Sequence, residues 1–354
     1  MPGSLLTLLL VLLLGLGLGA PARAALPPGN AVTDPAAILR DALPLEASEL
    51  RDLQHGLEAT SDDLRARRWS ALRSNCDRSR QRLEGRRTAL LEAVPAAHRD
   101  EAAADLTRAA EHLDSLCAAA DRQDRDAILS SRRQALAAIG AVEALAVQEF
   151  PFTIPAEFND LPRLLGRATV EIRTSKGPMT AVVDGYNAPL TAGAFIDLVQ
   201  RGFYNGLPFN RAEDFYVLQT GDPEGPATGD VNPRTGQERH VPLEIRIPGR
   251  TEPEYNTTFE DLGLFKATPV LPFATLGTMG WAHSDEALDD GSSQFFFFLY
   301  EAELTPAGLN LVDGRYAAFG YVVDGFDVLR ELGVTDSIVS IRVVDGADNL
   351  QAHG

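Results

Sequence analysis

Two hydrophobic periods divide the chain. From about Asp34 to Phe150, apolar residues recur every three or four positions in a background rich in Ala, Leu, Arg and Glu. Trp69, Leu72, Cys76, Leu83 and Leu90 make one such stripe; Leu106, Ala110, Leu113, Cys117 and Ala120 make another. Pro95 lies between them and predicts a break between two long antiparallel helices. Asp34 before Pro35 predicts a helix start, because an aspartate can cap the helix and a proline fits its first turn. A last helix is expected over about 124–149, ending before Pro151. The pattern predicts an up-and-down four-helix bundle after a short capping helix. After residue 166 the period becomes two. "RATVEIRTSKGPMTAVVDG" reads as a hairpin turning at Lys176-Gly177, and "APLTAGAFIDLVQRGFYNG" as a helix capped by Thr191 and closed at Gly202. Strands are expected at 215–219, near 275–281, at 294–300, 316–323 and 339–344. Many short strands with few helices predict a closed antiparallel barrel. Between the two regions, "PFTIPAEFNDLPRLLG" (151–166) has three prolines and apolar residues that must pack, an ordered linker.

The extreme N-terminus adds an export signal. An apolar run of about fifteen residues ends in Ala22-Arg23-Ala24, a small-residue site that predicts cleavage after Ala24. Read instead as an uncleaved anchor, the run is short for a span of roughly 20 residues. The mature chain is therefore expected outside the cytoplasm and not spanning a membrane. Charge narrows the partners. The net charge is −18, and it splits unevenly: 18 Arg against 21 acidic residues in 1–150, 14 Lys and Arg against 29 in 151–354. An acidic second half repels phosphate backbones, which argues against nucleic acid. Cys76 and Cys117 are too far apart for CxxC chemistry, so neither metal nor cofactor is expected. Each lies on a buried stripe at a similar distance from the turn. A disulfide and two packed core thiols are both open.

One stretch carries candidate chemistry: "FNRAEDFYVLQTGDP" (209–223) sets Arg211 and Gln219 eight apart, so a continuous strand would aim both at one face. Alone, an arginine beside Glu213 and Asp214 reads as a surface ion pair, and the run Phe295–Phe298 as a core strand. The histidines are scattered, and neither a phosphate-binding glycine loop nor a Ser/His/Asp set is apparent.

Four ordered blocks raise the chemistry above that. "FNRAEDFYVLQTGDP" resembles the cyclophilin signature F-x-R-x-x-x-x-F-x-x-Q-x-G-D. "GSSQFFF" (291–297) resembles the family's G-S-Q-F-F strand, "DGRYAAFG" (313–320) its D-G-x-x-x-x-F-G segment, and "APLTAGAFIDLV" its P-x-T-x-x-N-F helix with Ala194 for Asn. The resemblance implies an eight-stranded barrel and peptidyl-prolyl cis–trans isomerase activity. With the helical half and "ELTPAGLNLVDGRYAAFGYV", it narrows to the large lumenal cyclophilins of cyanobacteria and chloroplasts, which implies a thylakoid lumen or periplasmic location and photosystem II subunits among the clients.

By position the resemblance makes Arg211 the catalytic donor and Gln219 the group that positions the substrate backbone. Tyr216, Val217 and Phe296 would line the proline pocket, Met279 and Gly280 its adjoining wall, and Val312 and Tyr316 its far side. There are departures. Tyr216 stands for the usual Phe, Val217 for Met, Leu311 for Trp and Tyr316 for His; Trp281 takes the place of a substrate-contacting Asn and is expected to crowd the groove. They imply reduced efficiency and weak binding of the cyclosporin class.

The chemistry fits these residues on its own terms. The X–Pro bond has a rotation barrier of roughly 18–20 kcal/mol and exchanges uncatalysed in about 10–100 s. A cation aimed at the prolyl nitrogen acts only when twisting has localised its lone pair, so it stabilises the transition state over the ground state. The expected order is signal peptide 1–24, helical bundle 25–150, linker 151–166 and cyclophilin-like domain 167–354. Two further readings stand beside an active isomerase: a peptide-binding chaperone that turns over slowly or not at all, and a domain whose groove the helical half covers. The segment between Asp222 and Gly277 is about twenty residues longer than a minimal cyclophilin needs, and reads as a surface insertion or as a piece docked on the helical half.

Overall fold

The computed structural model describes residues 32–225, 227–231, 236–265, 267–300 and 312–352. The apolar leader, its site after Ala24, and Leu311 lie outside them. Asp34 caps α1 (Pro35–Asp41), its carboxylate accepting from Ala36 N at 3.0 Å. Then come α2 (Ser48–Glu58), α3 (Thr60–Arg65), α4 (Trp69–Gly85), α5 (Arg87–Glu92), α6 (Arg99–Asp121) and α7 (Arg125–Ala146). The long helix expected before Pro95 is interrupted at Gly85–Arg86, and Pro95 itself opens a short 3₁₀ turn, Ala96–His98. Leu50, Leu57, Leu72, Cys76, Leu83, Leu106, Leu113 and Ile139 share one buried core. Cys76 and Cys117 are joined as a disulfide, which settles the choice between bridge and free thiols. No helix of the described residues is long and apolar enough to cross a membrane.

The second core belongs to an eight-stranded antiparallel sheet: β2 (Arg167–Thr174), β3 (Gly177–Asp184), β4 (Phe209–Glu213), β5 (Val217–Thr220), β8 (Thr278–Trp281), β9 (Phe295–Phe298), β10 (Ala318–Asp324) and β11 (Ile338–Asp345). Their order is β11-β2-β3-β10-β8-β9-β5-β4. The closed barrel expected from the strand pattern therefore needs correcting, because β11 and β4 do not pair as a ladder. Among the described residues, the isolated bridge Pro208–Ser337 and the main-chain bonds Gly206 N to Ile338 O, Ile338 N to Leu207 O and Phe209 N to Asp336 O span the gap. Pro208 has no N–H to donate there, so a regular ladder cannot run through it. Helices α8 (Pro189–Gln200) and α9 (Phe326–Glu331) accompany the sheet. Strand β1 (Arg163–Leu164) pairs with β12 (Leu350–Gln351), which orders the linker.

Between β5 and β8 the long segment folds back on the sheet. Its hairpin, β6 (Glu244–Arg246) and β7 (Pro253–Tyr255), and the residues flanking it send Leu243, Ile245 and Ile247 into the core of the sheet, along with Phe259, Leu271 and Phe273. Glu244 supplies what Thr191 was expected to supply. Its Oε2 accepts from Leu190 N at 3.0 Å, Thr191 N at 3.1 Å and Thr191 Oγ1 at 3.2 Å, satisfying donors in the first turn of α8. Helix α1 also belongs to this core through Ile38, Leu39 and Ala42. Arg167 bridges the buried Asp184 and the carbonyl of Leu39, and Asn187 Nδ2 donates to Ala42 O at 2.9 Å. The helical region is thus stitched to the sheet by buried polar contacts.

Two outcomes follow for stability. Replacing Cys76 and Cys117 by Ser removes a cross-link over 41 residues, and should cost about 2–4 kcal/mol of helical-region stability in chemical denaturation. Burial raises the carboxyls of Glu143 and Glu244 to about 7, with the Arg51 guanidinium 3.8 Å from Glu143 too distant to offset it. Both bind protons more tightly folded than unfolded, so stability is greatest below about pH 4.5 for these two groups and is lost as pH rises through 7. The melting temperature should climb between pH 7.5 and 5.5, and Glu244→Gln should flatten that slope.

Candidate active site

The chain folds into the groove by turning back on itself. Arg211 and Gln219 do not share one continuous strand, as their spacing suggested; the chain reverses at 214–216, with Phe215 at φ 62° and Tyr216 N donating to Glu213 O. Arg211 and Gln219 then stand directly opposite on β4 and β5. Gln219 is opposite Phe296 on β9, Phe296 opposite Gly280 on β8, and Gly280 opposite Ala318 on β10. Directly opposed residues of an antiparallel pair project from the same face. One row across four strands therefore brings a guanidinium, a carboxamide, an aromatic ring and a glycine together. The next row on that face is Glu213, Val217 and Phe298.

Alternation splits the run of four phenylalanines. Phe295 and Phe297 face inward, Phe295 meeting Phe195 and Tyr204 edge-on at 5.1 and 5.2 Å. Phe296 faces the groove, where Phe273 stacks on it (5.7 Å, 14°) and Tyr316 meets it edge-on at 5.5 Å. Gly280 makes room for that ring, since a β-carbon there would lie 2.3 Å from Phe296 Cζ. Tyr216 meets Phe298 edge-on at 6.2 Å. Val312 is buried, and its carbonyl accepts from the main-chain N–H of Arg315 and Tyr316, the turn that presents Tyr316.

Met279, expected on the adjoining wall, and Trp281, expected to crowd the groove, lie elsewhere. Met279 and Trp281 are opposite Phe297 and Phe295 and so share the inward face. Trp281 is buried, edge-on to Phe319 at 5.8 Å, in space that Gly291 leaves by lacking a side chain. It does not crowd the groove. Spacing on a strand decides this: two residues that flank a groove-facing glycine must both point away from it.

Phe273 escaped the sequence reading. It comes from the long inserted segment, its N–H donates to Asp313 Oδ1 at 2.7 Å, and nothing in its local sequence marks it. Gln294, the last residue of the "GSSQ" motif, is a second groove residue that spacing alone does not single out. It accepts from Gln219 Nε2 at 2.8 Å and donates to Thr228 O at 2.9 Å, which fixes the carboxamide of Gln219.

Electrostatically the groove is mixed. Arg211 is half exposed and paired with Glu213, Nε and Nη2 lying 2.7 and 2.6 Å from the same oxygen. Burial pushes the Tyr316 phenol up, Tyr216 and Asp285 add to the effect, and Arg211 opposes it, so the guanidinium's field reaches the ring that covers Phe296. Burial also raises the Asp313 carboxyl to about 6. None of the hydrogen bonds, ion pairs and ring contacts described for Arg211, Gln219, Tyr216, Phe296 and Tyr316 runs to residues 34–150. Asp41, His55 and Glu58 each bring one ligand atom within 4.8 Å of the others, and Arg40 pairs with Glu58 at 2.9 Å.

Such a groove offers a cation, a fixed amide and an apolar wall. It can hold a small ring against Phe296 while the cation faces the atom joined to it. Gly280→Ala should overpack the wall by about 1–3 kcal/mol and lower the melting temperature by several degrees, with Phe296 displaced in the structure of the variant.

Comparison with known proteins shows the family. The model of the cyclophilin type peptidyl-prolyl cis-trans isomerases matches residues 169–345, and that of the PsbQ-like domain of CYP38-like peptidyl-prolyl cis-trans isomerases matches residues 34–147. A protein of Synechocystis sp. named provisionally as a thylakoid lumen peptidyl-prolyl cis-trans isomerase is 49% identical over 326 residues, 92% of this chain and 86% of that protein. The chloroplastic peptidyl-prolyl cis-trans isomerase CYP38 of Arabidopsis thaliana is 39% identical over 333 residues, 91% of this chain and 76% of its own. CYP37 of the same plant, also chloroplastic, is 31% identical over 67% of this chain and 52% of its own.

Proposed function

Because the chain belongs to the cyclophilin type peptidyl-prolyl cis-trans isomerase family, we propose that its groove isomerises X–Pro bonds with Arg211 as the donor to the prolyl nitrogen. The proline ring lies on Phe296, between Val217, Tyr216, Phe273 and Tyr316. Gln219, held by Gln294, takes the backbone amide next to the proline. As the bond twists, resonance is lost and the nitrogen becomes an acceptor; the cation then has a partner that the planar ground state lacks. Gln219 holds the flanking chain so that rotation is confined to one bond. The single observation that carries this reading is the row Arg211–Gln219–Phe296–Gly280, four matched residues in register on one face.

The setting is part of the same proposal. We place the mature protein in the thylakoid lumen, on the strength of the name of the Synechocystis relative, the chloroplastic name of CYP38 and the apolar leader at 1–24. Its clients are proline-containing segments of lumenal proteins, and the resemblance argues for photosystem II subunits among them. The division into 25–150, 151–166 and 167–354 belongs to the proposal, with support from the matches at 34–147 and 169–345. The chaperone reading, with the groove covered by the helical region, gains nothing from the contacts described for Arg211, Gln219, Tyr216, Phe296 and Tyr316, none of which runs to residues 34–150.

Arg211→Ala, in the full chain, tests the role assigned to it. The rate of prolyl exchange on a short peptide should drop by about 10²–10³, the usual effect of removing one transition-state donor, with thermal stability unchanged because the side chain is half exposed. Wild-type rates in that variant would refute the assignment.

A further inference from the structure

Glu213 stands two residues from Arg211 on β4, so alternation sends both side chains to the groove face. Register then sets it opposite Val217, which is opposite Phe298. The carboxylate therefore borders the apolar wall while one of its oxygens takes two guanidinium nitrogens of Arg211 at 2.7 and 2.6 Å. A guanidinium engaged this way has two of its five N–H groups committed, and its charge is offset just where a prolyl nitrogen would need it. Both partners are about half exposed, 49% and 50%. An exposed pair of this kind shifts an equilibrium by about fivefold at most. That is weak enough for a substrate to exchange.

We propose that Glu213 is a specificity-determining residue: it holds Arg211 at rest, and a Lys or Arg side chain within two residues of the substrate's proline takes its place as Glu213's partner, freeing the guanidinium for the prolyl bond. This rests on the role given to Arg211 above. A basic substrate replaces the broken pair with an equivalent one, whereas a neutral one breaks it without compensation. An acidic substrate adds repulsion from Glu213, and from Asp214 beside it in the turn. Asp285, whose charge is felt with that of Arg211 at the Tyr316 hydroxyl, adds to the negative field there. The −15 carried by residues 151–354 favours the same substrates at longer range. The substrate class is thus a proline flanked by a cationic residue.

The test uses the full chain and pentapeptides in which one of the two residues on either side of a central proline is Lys, Ala or Glu. kcat and KM are measured for the wild type, Glu213→Gln, Glu213→Asp and Arg211→Ala, with melting curves to confirm folding. The wild type should favour a Lys peptide over its Ala counterpart by about two- to fivefold in kcat/KM. Glu213→Gln should raise kcat on the Ala peptides by a similar factor and lose the preference for Lys. Glu213→Asp keeps the carboxylate and should keep the preference, which a merely structural role would not require. If Glu213→Gln leaves both quantities unchanged while Arg211→Ala abolishes exchange, the groove assignment stands and this proposal is overturned. If Arg211→Ala exchanges at the wild-type rate, or no variant turns over any peptide, both fall together.

Discussion

Strand register is the constraint on which the groove depends. Arg211, Gln219, Phe296 and Gly280 come from four strands and from positions up to 85 residues apart, and only pairing in one particular alignment puts them in a row. A slip by one residue in β9 would send Phe296 inward and offer Phe295 or Phe297 to the groove instead. The core prevents that slip. Phe295 is locked edge-on against Phe195, Tyr204 and Phe319, and Trp281 fills the space beside Gly291. Inward-facing bulk on β8 and β9 thus holds the outward-facing chemistry in place.

The same logic explains why the inserted segment between β5 and β8 matters for function. It returns across the sheet, delivers the Glu244 carboxylate to α8, and lays Phe273 on Phe296. A ring that a shorter connection would leave open is backed by a second ring here. The helical region is attached on another side, through Leu39, Ala42, Arg167 and Asn187. Its ties to the sheet and the contacts of the groove residues involve different residues, which lets the two be altered separately.

Local signals made much of this legible from sequence. The helical stripes, the Asp34 cap, the hairpin turn expected at Lys176-Gly177 and found one residue earlier, and the strand positions all depend on short-range period and turn chemistry, and they emerged within a few residues. The cross-strand row was legible only through the family's spacing, since periodicity alone put Arg211 and Gln219 on one strand. What stayed hidden was non-local. Glu244 caps a helix 53 residues away, and Phe273 reaches Phe296 from an insertion with no motif of its own. Trp281 was misplaced because its position in the motif suggested contact with substrate, whereas strand alternation beside Gly280 turns it inward. Pairing of Cys76 with Cys117 depended on two helices meeting, which the stripes allowed without requiring. The open seam between β4 and β11 turns on a single proline whose missing N–H no pattern of hydrophobicity records.

The most direct test of the account is a crystal structure of the full chain with a bound Lys-Pro-containing peptide. The account predicts the proline ring against Phe296, the peptide amide on Gln219, and the Arg211 guanidinium turned from Glu213 to within hydrogen-bond distance of the prolyl bond. A peptide seated away from this row, or a proline on Phe296 with Arg211 still held by Glu213 and out of reach of the bond, would contradict it.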